Sequence, residues 1–137
     1  MSRIINIWFD GWHSIAPGLV HPLPKSEWRT RWVSQIVPNH EIAVLESDGE
    51  ILGFVTVNFN TSELSQIFTS LSERGRGVGT ALMNWAKNKY PAGLFLFTLE
   101  LNHRSRNFYR KHGFRETGHS INPINGYPSV RYAWSEN

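Results

Sequence analysis

A glycine-rich turn with two arginines, RGRGVG at Arg74–Gly79, offers the residue types for binding an anion. Its three glycines lack Cβ, so the backbone can take up positive φ and approach a ligand closely. An amphipathic helix is predicted to follow, and the unpaired N–H groups of its first turn, with the helix dipole, attract negative charge. Arg74 and Arg76 add charge suited to phosphate oxygens. The turn predicts a pyrophosphate site, and a plain tight turn is the structural alternative.

Two widespread phosphate loops do not fit this turn. A P-loop needs Lys followed by Ser or Thr after its last glycine, whereas Gly79 is followed by Thr80 and Ala81. A dinucleotide fingerprint needs the spacing G-x-G-x-x-G and an acid about 20 residues further on. The glycines alternate here instead, and Glu100 lies beyond the next predicted strand.

The turn resembles the acyl-CoA motif R/Q-x-x-G-x-G/A of the GNAT superfamily of acyl-CoA-dependent N-acyltransferases. Members also have N-x-x-A-x-x-F-Y-x-x-x-G-F after the next strand. The chain matches this second motif with Ser in place of the usual Ala, through Asn102, Ser105, Phe108, Tyr109, Gly113 and Phe114. Two motifs in the expected order and separation make the resemblance more specific than either alone.

The resemblance implies a role for each part of the site. Backbone groups of Ile67, Phe68 and Thr69 would hold the pantetheine arm and polarise the thioester. The pyrophosphate would be bound by the loop residues Arg74, Gly75, Arg76, Gly77, Val78, Gly79 and Thr80. Asn102 and Ser105 would complete the contacts to the donor, with Asn102 hydrogen-bonded to the pantetheine arm.

Two side chains are the predicted catalytic groups. Tyr109 would donate a proton to the departing sulfur, and it would also contact the donor. Glu63, eleven residues before Arg74, lies at the position where some family members have a catalytic glutamate. The alternatives are a packing role for Tyr109 and an exposed position at a strand start for Glu63.

The function predicted from the resemblance is transfer of an acetyl group from acetyl-CoA to a primary amine of a small molecule or peptide, by direct attack. A non-catalytic acyl-CoA-binding regulatory or partner-binding module on the same fold is the alternative, because fold does not fix activity. Nucleic-acid binding ranks low, since the chain has no zinc-finger or RNA-binding motif. A homodimer stays open.

Composition sets the broader expectations. The 137 residues predict one domain, 1–137, and the sequence indicates neither a signal peptide nor a membrane span, so we expect a cytoplasmic protein. The absence of cysteine excludes disulfides and thiolate catalysis. No metal site is predicted, because the six histidines do not pair at ligand spacing with an acid.

Residues 74–115 have nine basic residues and one acid, a net +8, whereas the remainder has five basic and ten acidic residues, a net −5. This division suits an anionic donor on one side and an amine on the other.

The elements that must position these residues follow from apolar periodicity and turn residues. Strands are predicted at Arg3–Trp8, Glu41–Glu46, Ile51–Phe59, Leu64–Leu71, Leu94–Leu101, Phe114–Ser120 and Val130–Trp134. Helices are predicted between the first two strands, including Ser26–Val37, then after Val78 and at Ser105–His112. The fold class is therefore α+β in three layers. We expect a central, mostly antiparallel mixed sheet of six to seven strands, with a parallel pair at its centre and about four flanking helices.

Overall fold

The computed structural model describes residues 1–136, and its helices and strands follow one another in the predicted α+β manner. The four α-helices of this part of the chain are α1 (Ser2–His13), α2 (Lys25–Arg31), α3 (Val78–Lys89) and α4 (His103–Lys111). A π-helical turn, Trp32–Ile36, continues α2, and a 3-10 turn, Leu71–Glu73, precedes the glycine loop. The six strands are β1 (His40–Ser47), β2 (Glu50–Asn58), β3 (Leu64–Thr69), β4 (Leu94–Leu99), β5 (Arg115–Ile121) and β6 (Pro128–Trp134).

The strands form two antiparallel sheets of three, in the orders β1-β2-β3 and β4-β6-β5. The predicted parallel pair is reduced to one bridge between Glu63 and Phe95, beside which the Phe95 amide donates to the Ser62 carbonyl at 3.3 Å. Beyond this bridge β3 and β4 do not pair, so the two sheets meet at one end and diverge at the other. This divergence creates the space for a ligand.

Helices cover both faces of the sheets. Phe54 of β2 is buried in one core cluster with α1 and α2, whereas its neighbour Val55 is buried in the other with Leu82 and Met83 of α3. Successive residues of a strand point to opposite faces, so β2 separates the two clusters. All four tryptophans of the first 32 residues belong to the α1 and α2 cluster and expose 8% of their surface or less: Trp8, Trp12, Trp28 and Trp32.

The predicted strand at Arg3–Trp8 is wrong, because this segment lies within α1. Its isoleucines and tryptophan favour a strand locally, but the buried positions Ile5, Trp8 and Trp12 are spaced by three and four residues, as one face of a helix requires. Packing against β2 and β3 therefore outweighs local propensity. Without this strand the described residues hold six strands rather than seven.

The hairpin and the helix after β4 follow their turn residues. Asp48 and Gly49 both have positive φ, at 52° and 78°, as a two-residue turn between antiparallel strands demands. α4 begins two residues earlier than predicted because the Asn102 side chain caps its first turn, and Gly113, at φ 86°, follows its end. In the part of the chain described here, no helix has the length and apolar character to cross a bilayer.

Candidate active site

A cleft of about 1370 Å³ opens where β3 and β4 diverge. Its walls come from both strands, from the glycine loop, from α1, α2 and α4, and from the loop before β6. All the predicted site residues except Arg76 line it: Glu63, Ile67, Phe68, Thr69, Arg74, Gly75, Gly77, Val78, Gly79, Thr80, Asn102, Ser105 and Tyr109. The structure thus brings together residues that are up to 46 positions apart in the sequence.

The glycine loop has the backbone geometry that its sequence predicts. Gly75 and Gly77 have φ of 81° and 82°, a left-handed conformation that other residues rarely adopt. Gly77 is the N-cap of α3 and supplies no side chain to the first helical turn, so the amides there are open to a ligand. A Cβ on Gly79 would lie 3.3 Å from Phe108 of α4. Gly79 therefore allows α3 and α4 to approach each other beside the loop.

Positive charge gathers on one side of this loop. Arg74 is half-buried and donates to the Ser14 hydroxyl at 2.6 Å, which fixes its side chain against the end of α1. The pKa of Arg74 is lowered by burial and further by the nearby Arg104. Two like charges held this close favour an anion between them. Lys111 of α4 also lines the cleft.

Arg76 lies apart from these cations. Its guanidinium is 3.6 Å from the Glu73 carboxylate, and its side chain is 71% exposed. Arg76 is therefore the one predicted donor-binding residue that does not line the cleft. Arg104 lines the cleft as well, although the sequence pattern did not single it out.

Tyr109 is buried at the junction of α4 with the sheet. It exposes only 7% of its surface and packs against Tyr132, with 6.0 Å between the ring centroids. Burial raises the pKa of its phenol well above the usual value, although a hydrogen bond from Ser105 partly offsets this. The phenol is therefore protonated at neutral pH and has a proton to donate.

Asn102 and Ser105 organise the start of α4. The Asn102 Oδ1 accepts from the Ser105 amide at 3.2 Å, which is an N-cap bond. Asn102 also lines the cleft. The second motif of the sequence thus holds Tyr109 in place through Ser105 and builds one wall of the cleft.

Glu63 lies at the point where the two sheets meet. Its backbone is fixed by two hydrogen bonds: its amide donates to the Thr61 hydroxyl oxygen at 3.2 Å, and its carbonyl accepts from the Asn58 amide at 2.8 Å. Its side chain is half-buried, and burial raises the pKa of the carboxyl, while the charge of Arg131 opposes the increase. A carboxylate with a raised pKa is a stronger base than a solvated one.

The donor side of β3 has an open backbone edge. Ile67, Phe68 and Thr69 pair with β2 through one edge, opposite Val55, Phe54 and Gly53. Their other edge faces the cleft, because β4 meets β3 only at the Glu63 bridge. Backbone N–H and C=O groups along such an edge can pair with an extended amide chain.

Aromatic side chains of α1 and α2 form another wall of the cleft. Trp8, Trp12 and Trp28 line the cleft as well as filling the core. His21 lies against this wall, with 4.9 Å from its ring centroid to that of Trp12. Burial, the charge of Arg31 and then that of His13 lower the pKa of His21 to about 4, so its ring is neutral at neutral pH. The tryptophans were recognisable as aromatics, but no local signal marked His21 or Arg31.

The described residues contain no group of three His, Asp or Glu side chains placed to hold a metal ion.

Two sequence comparisons agree on the family. The sequence model of the Acetyltransferase (GNAT) family matches residues 3–114. The peptidyl-lysine N-acetyltransferase YiaC of Escherichia coli (strain K12) is 35% identical over 118 residues, which are 83% of this chain and 76% of YiaC.

Solved structures share the fold. The apo-form of YjaB from Escherichia coli has a TM-score of 0.73 at 24% identity, over 97% of this chain and 89% of YjaB. The PaiA N-acetyltransferase of Thermoplasma acidophilum, crystallised with coenzyme A, has a TM-score of 0.71 at 14% identity, over 98% of this chain and 91% of PaiA. Because the family match spans most of the chain and includes both motifs of the cleft, this protein belongs to the acetyltransferase (GNAT) family and is an acyltransferase that uses acetyl-CoA.

Proposed function

We propose that the protein transfers the acetyl group of acetyl-CoA to a primary amine by direct attack, with Glu63 as the base and Tyr109 as the acid. One observation supports this most strongly: an anion-binding loop, a half-buried carboxyl and a buried phenol open onto the same cleft. A base, an acid and a site for the donor are the parts that such a transfer needs.

The donor would lie along the glycine loop and β3. Its pyrophosphate would accept from the first amides of α3, at Val78, Gly79 and Thr80, where the helix dipole favours negative charge. Arg74 and Arg104 would neutralise the phosphate charge from the side. The amides of the pantetheine arm would pair with the open edge at Ile67–Thr69.

The reaction needs proton transfers at the amine and at the sulfur. Glu63 accepts a proton from the ammonium form of the acceptor, and the neutral nitrogen attacks the thioester carbonyl carbon. The carbonyl oxygen gains negative charge, which backbone N–H groups at the edge of β3 would stabilise. The C–S bond then breaks with its electron pair on sulfur, and Tyr109 donates a proton to that sulfur. The nitrogen loses its remaining extra proton, which returns through solvent to the Tyr109 phenolate, and Glu63 releases its proton to solvent. The products are the N-acetylated amine, the CoA thiol and one proton.

The acceptor would enter on the side of Glu63 and the aromatic wall. Both a small-molecule amine and a lysine in a peptide are compatible with an open cleft, and YiaC is named as a peptidyl-lysine N-acetyltransferase. We therefore include both kinds of acceptor in the test of the proposal.

The test is an acceptor panel of small amines, polyamines, amino acids and lysine peptides with isotope-labelled acetyl-CoA, analysed by mass spectrometry. We expect label on the amine nitrogen of at least one acceptor, with one CoA thiol released for each amide formed. A reaction without protein gives the background rate. Tight binding of acetyl-CoA without transfer to any amine would instead favour a non-catalytic acyl-CoA-binding module.

A further inference from the structure

An arginine without a partner lies in the aromatic half of the cleft. Arg31 ends α2, is half-buried and lines the cleft, with its Cζ 5.3 Å from the centroid of the Trp8 ring. Its Nε is the one buried side-chain nitrogen or oxygen atom in residues 1–136 that has no hydrogen-bond partner. Buried polar atoms in folded proteins are nearly always hydrogen-bonded, so this donor calls for an explanation.

The charge of Arg31 is also uncompensated. Within the described chain its guanidinium forms no ion pair. Its neighbour His21 is neutral at neutral pH, because its pKa is lowered to about 4, in part by Arg31 itself. An arginine stays protonated in proteins even where burial lowers its pKa, as it does here. The aromatic wall therefore presents a permanent cation to the cleft.

This cation is placed for the acceptor rather than for the donor. The cations beside the glycine loop are Arg74 and Arg104, and their partner is the pyrophosphate of the proposed complex. The segment that follows Arg31 leads to His40, which is the register partner of Asn58, and Asn58 donates to the carbonyl of Glu63. Arg31 is thus connected through β1 and β2 to the segment that holds the proposed base, Glu63, and both side chains line the cleft.

We infer that the acceptor amine has a carboxylate on the same molecule and that Arg31 binds this carboxylate. The inference rests on the proposed acetyl transfer and adds the chemical class of the acceptor. The Nε and one Nη of a guanidinium form a planar pair of donors that matches the two oxygens of a carboxylate. The buried ring of Trp8 lies 5.3 Å from the guanidinium carbon, and such an apolar neighbour lowers the local dielectric constant and strengthens an ion pair. The carboxylate belongs either to a free amino acid or to an acidic residue beside lysine in a peptide.

Matched acceptors test this assignment. L-Lysine and cadaverine differ only by the carboxylate. For peptides, the matched pair has lysine next to Glu in one peptide and next to Gln in the other. If the acceptor is a free amino acid, wild-type protein should have a lower KM for L-lysine than for cadaverine. If the acceptor is a peptide, its KM should be lower for the peptide with Glu than for the peptide with Gln. Arg31→Gln should raise the KM for that acceptor about 10- to 100-fold, the effect of losing a charge-assisted hydrogen bond, with little change in kcat.

Control variants separate this effect from a loss of structure. Arg29→Gln removes the same charge from the exposed face of α2, where Arg29 contacts Ser2 at 2.7 Å, and should leave every KM unchanged. Arg31→Lys keeps the charge without the planar pair of donors and should be intermediate. Arg31→Gln should keep the wild-type affinity for acetyl-CoA and the wild-type KM for cadaverine.

Binding measurements keep the inference separate from the proposed function. Calorimetric titration of the CoA complex with L-lysine, cadaverine and the two peptides reports acceptor preference without any turnover. The absence of a carboxylate preference in wild-type protein, or a preference that survives Arg31→Gln, would overturn the inference whether or not acetyl transfer occurs. Transfer to amines without such a preference would leave the acetyltransferase proposal intact, whereas a carboxylate preference without transfer would contradict only that proposal.

Discussion

Replacement of Tyr109 by phenylalanine separates the proposed acid from a packing residue. The change removes one hydroxyl from a ring that stays buried against Tyr132 and Phe114. The hydroxyl is bonded to Ser105, and loss of one such bond costs about 1 kcal/mol of folding free energy. Domains of this size have about 5–15 kcal/mol, so the variant should remain almost entirely folded.

Loss of a general acid has a much larger effect on the rate. It lowers kcat about 100-fold or more, which corresponds to roughly 2.7 kcal/mol of activation free energy. Tyr109→Phe should therefore lose most of its kcat with little change in the KM for acetyl-CoA, because the proton is needed only as the thiolate leaves. Steady-state kinetics with the best acceptor of the panel, together with a thermal melt, measure both quantities.

The matched control is Tyr127→Phe, which removes a hydroxyl that donates to the Val20 carbonyl at 3.4 Å and keeps the ring. This variant should have the wild-type kcat. If Tyr109→Phe turns over as fast as wild type across the pH range, Tyr109 is a packing residue. If its kcat falls only as much as its folded fraction, the effect is one of stability and the acid lies elsewhere.

Three further predictions test other parts of the cleft. Gly77→Asp should weaken acetyl-CoA binding at least about tenfold more than the isosteric, uncharged Gly77→Asn in calorimetry, since its carboxylate would meet the phosphates, and equal affinities would contradict the loop assignment. Glu63→Gln should abolish the acidic limb of the pH profile of kcat/KM, and in wild-type protein this limb should lie at a higher pH than an ordinary carboxyl would give, because the pKa of Glu63 is raised. The activity of the variant should partly recover at high pH, where free amine accumulates. An unaltered profile would assign the base to water or another residue. The pKa of His21 is about 4 in the folded protein and 6.5 in the unfolded chain, so the unfolded chain binds a proton more readily between these values. The stability of the wild-type protein should therefore be intact above pH 6.5 and fall by about 2 kcal/mol as the pH drops toward 4. Thermal melts over this pH range should show a smaller loss of stability for His21→Asn.

The structure of the glycine loop and of α4 was predictable because its determinants are local. The glycines of the loop need their own φ values, and the spacing from Asn102 to Tyr109 is that of one helix with its cap. Such features are set by residues within a few positions of one another. Spacing alone did not show which arginine lines the cleft, because the pairing of Arg76 with Glu73 depends on the 3-10 turn before the loop.

The acceptor side depends on contacts between distant residues. Arg31 reaches the cleft only because α1 and α2 pack together across β2, and a helix at Ser2–His13 was itself not predicted. Gly11 shows the same dependence, since a Cβ there would lie 2.5 Å from Phe68. A glycine in mid-helix lowers helix propensity, so its use for close packing with β3 is visible only in the folded chain.

Release of CoA thiol with and without an amine is the most direct test of the central claim, that the acceptor attacks the thioester within this cleft. With saturating acetyl-CoA, rapid-mixing measurement of thiol release should show no burst until the amine is added. After that, thiol and acetylated amine should appear together at the same rate, while the intact mass of the protein stays unchanged. A burst of thiol without amine, together with an acetyl group on the protein, would contradict direct attack from a complex of both substrates.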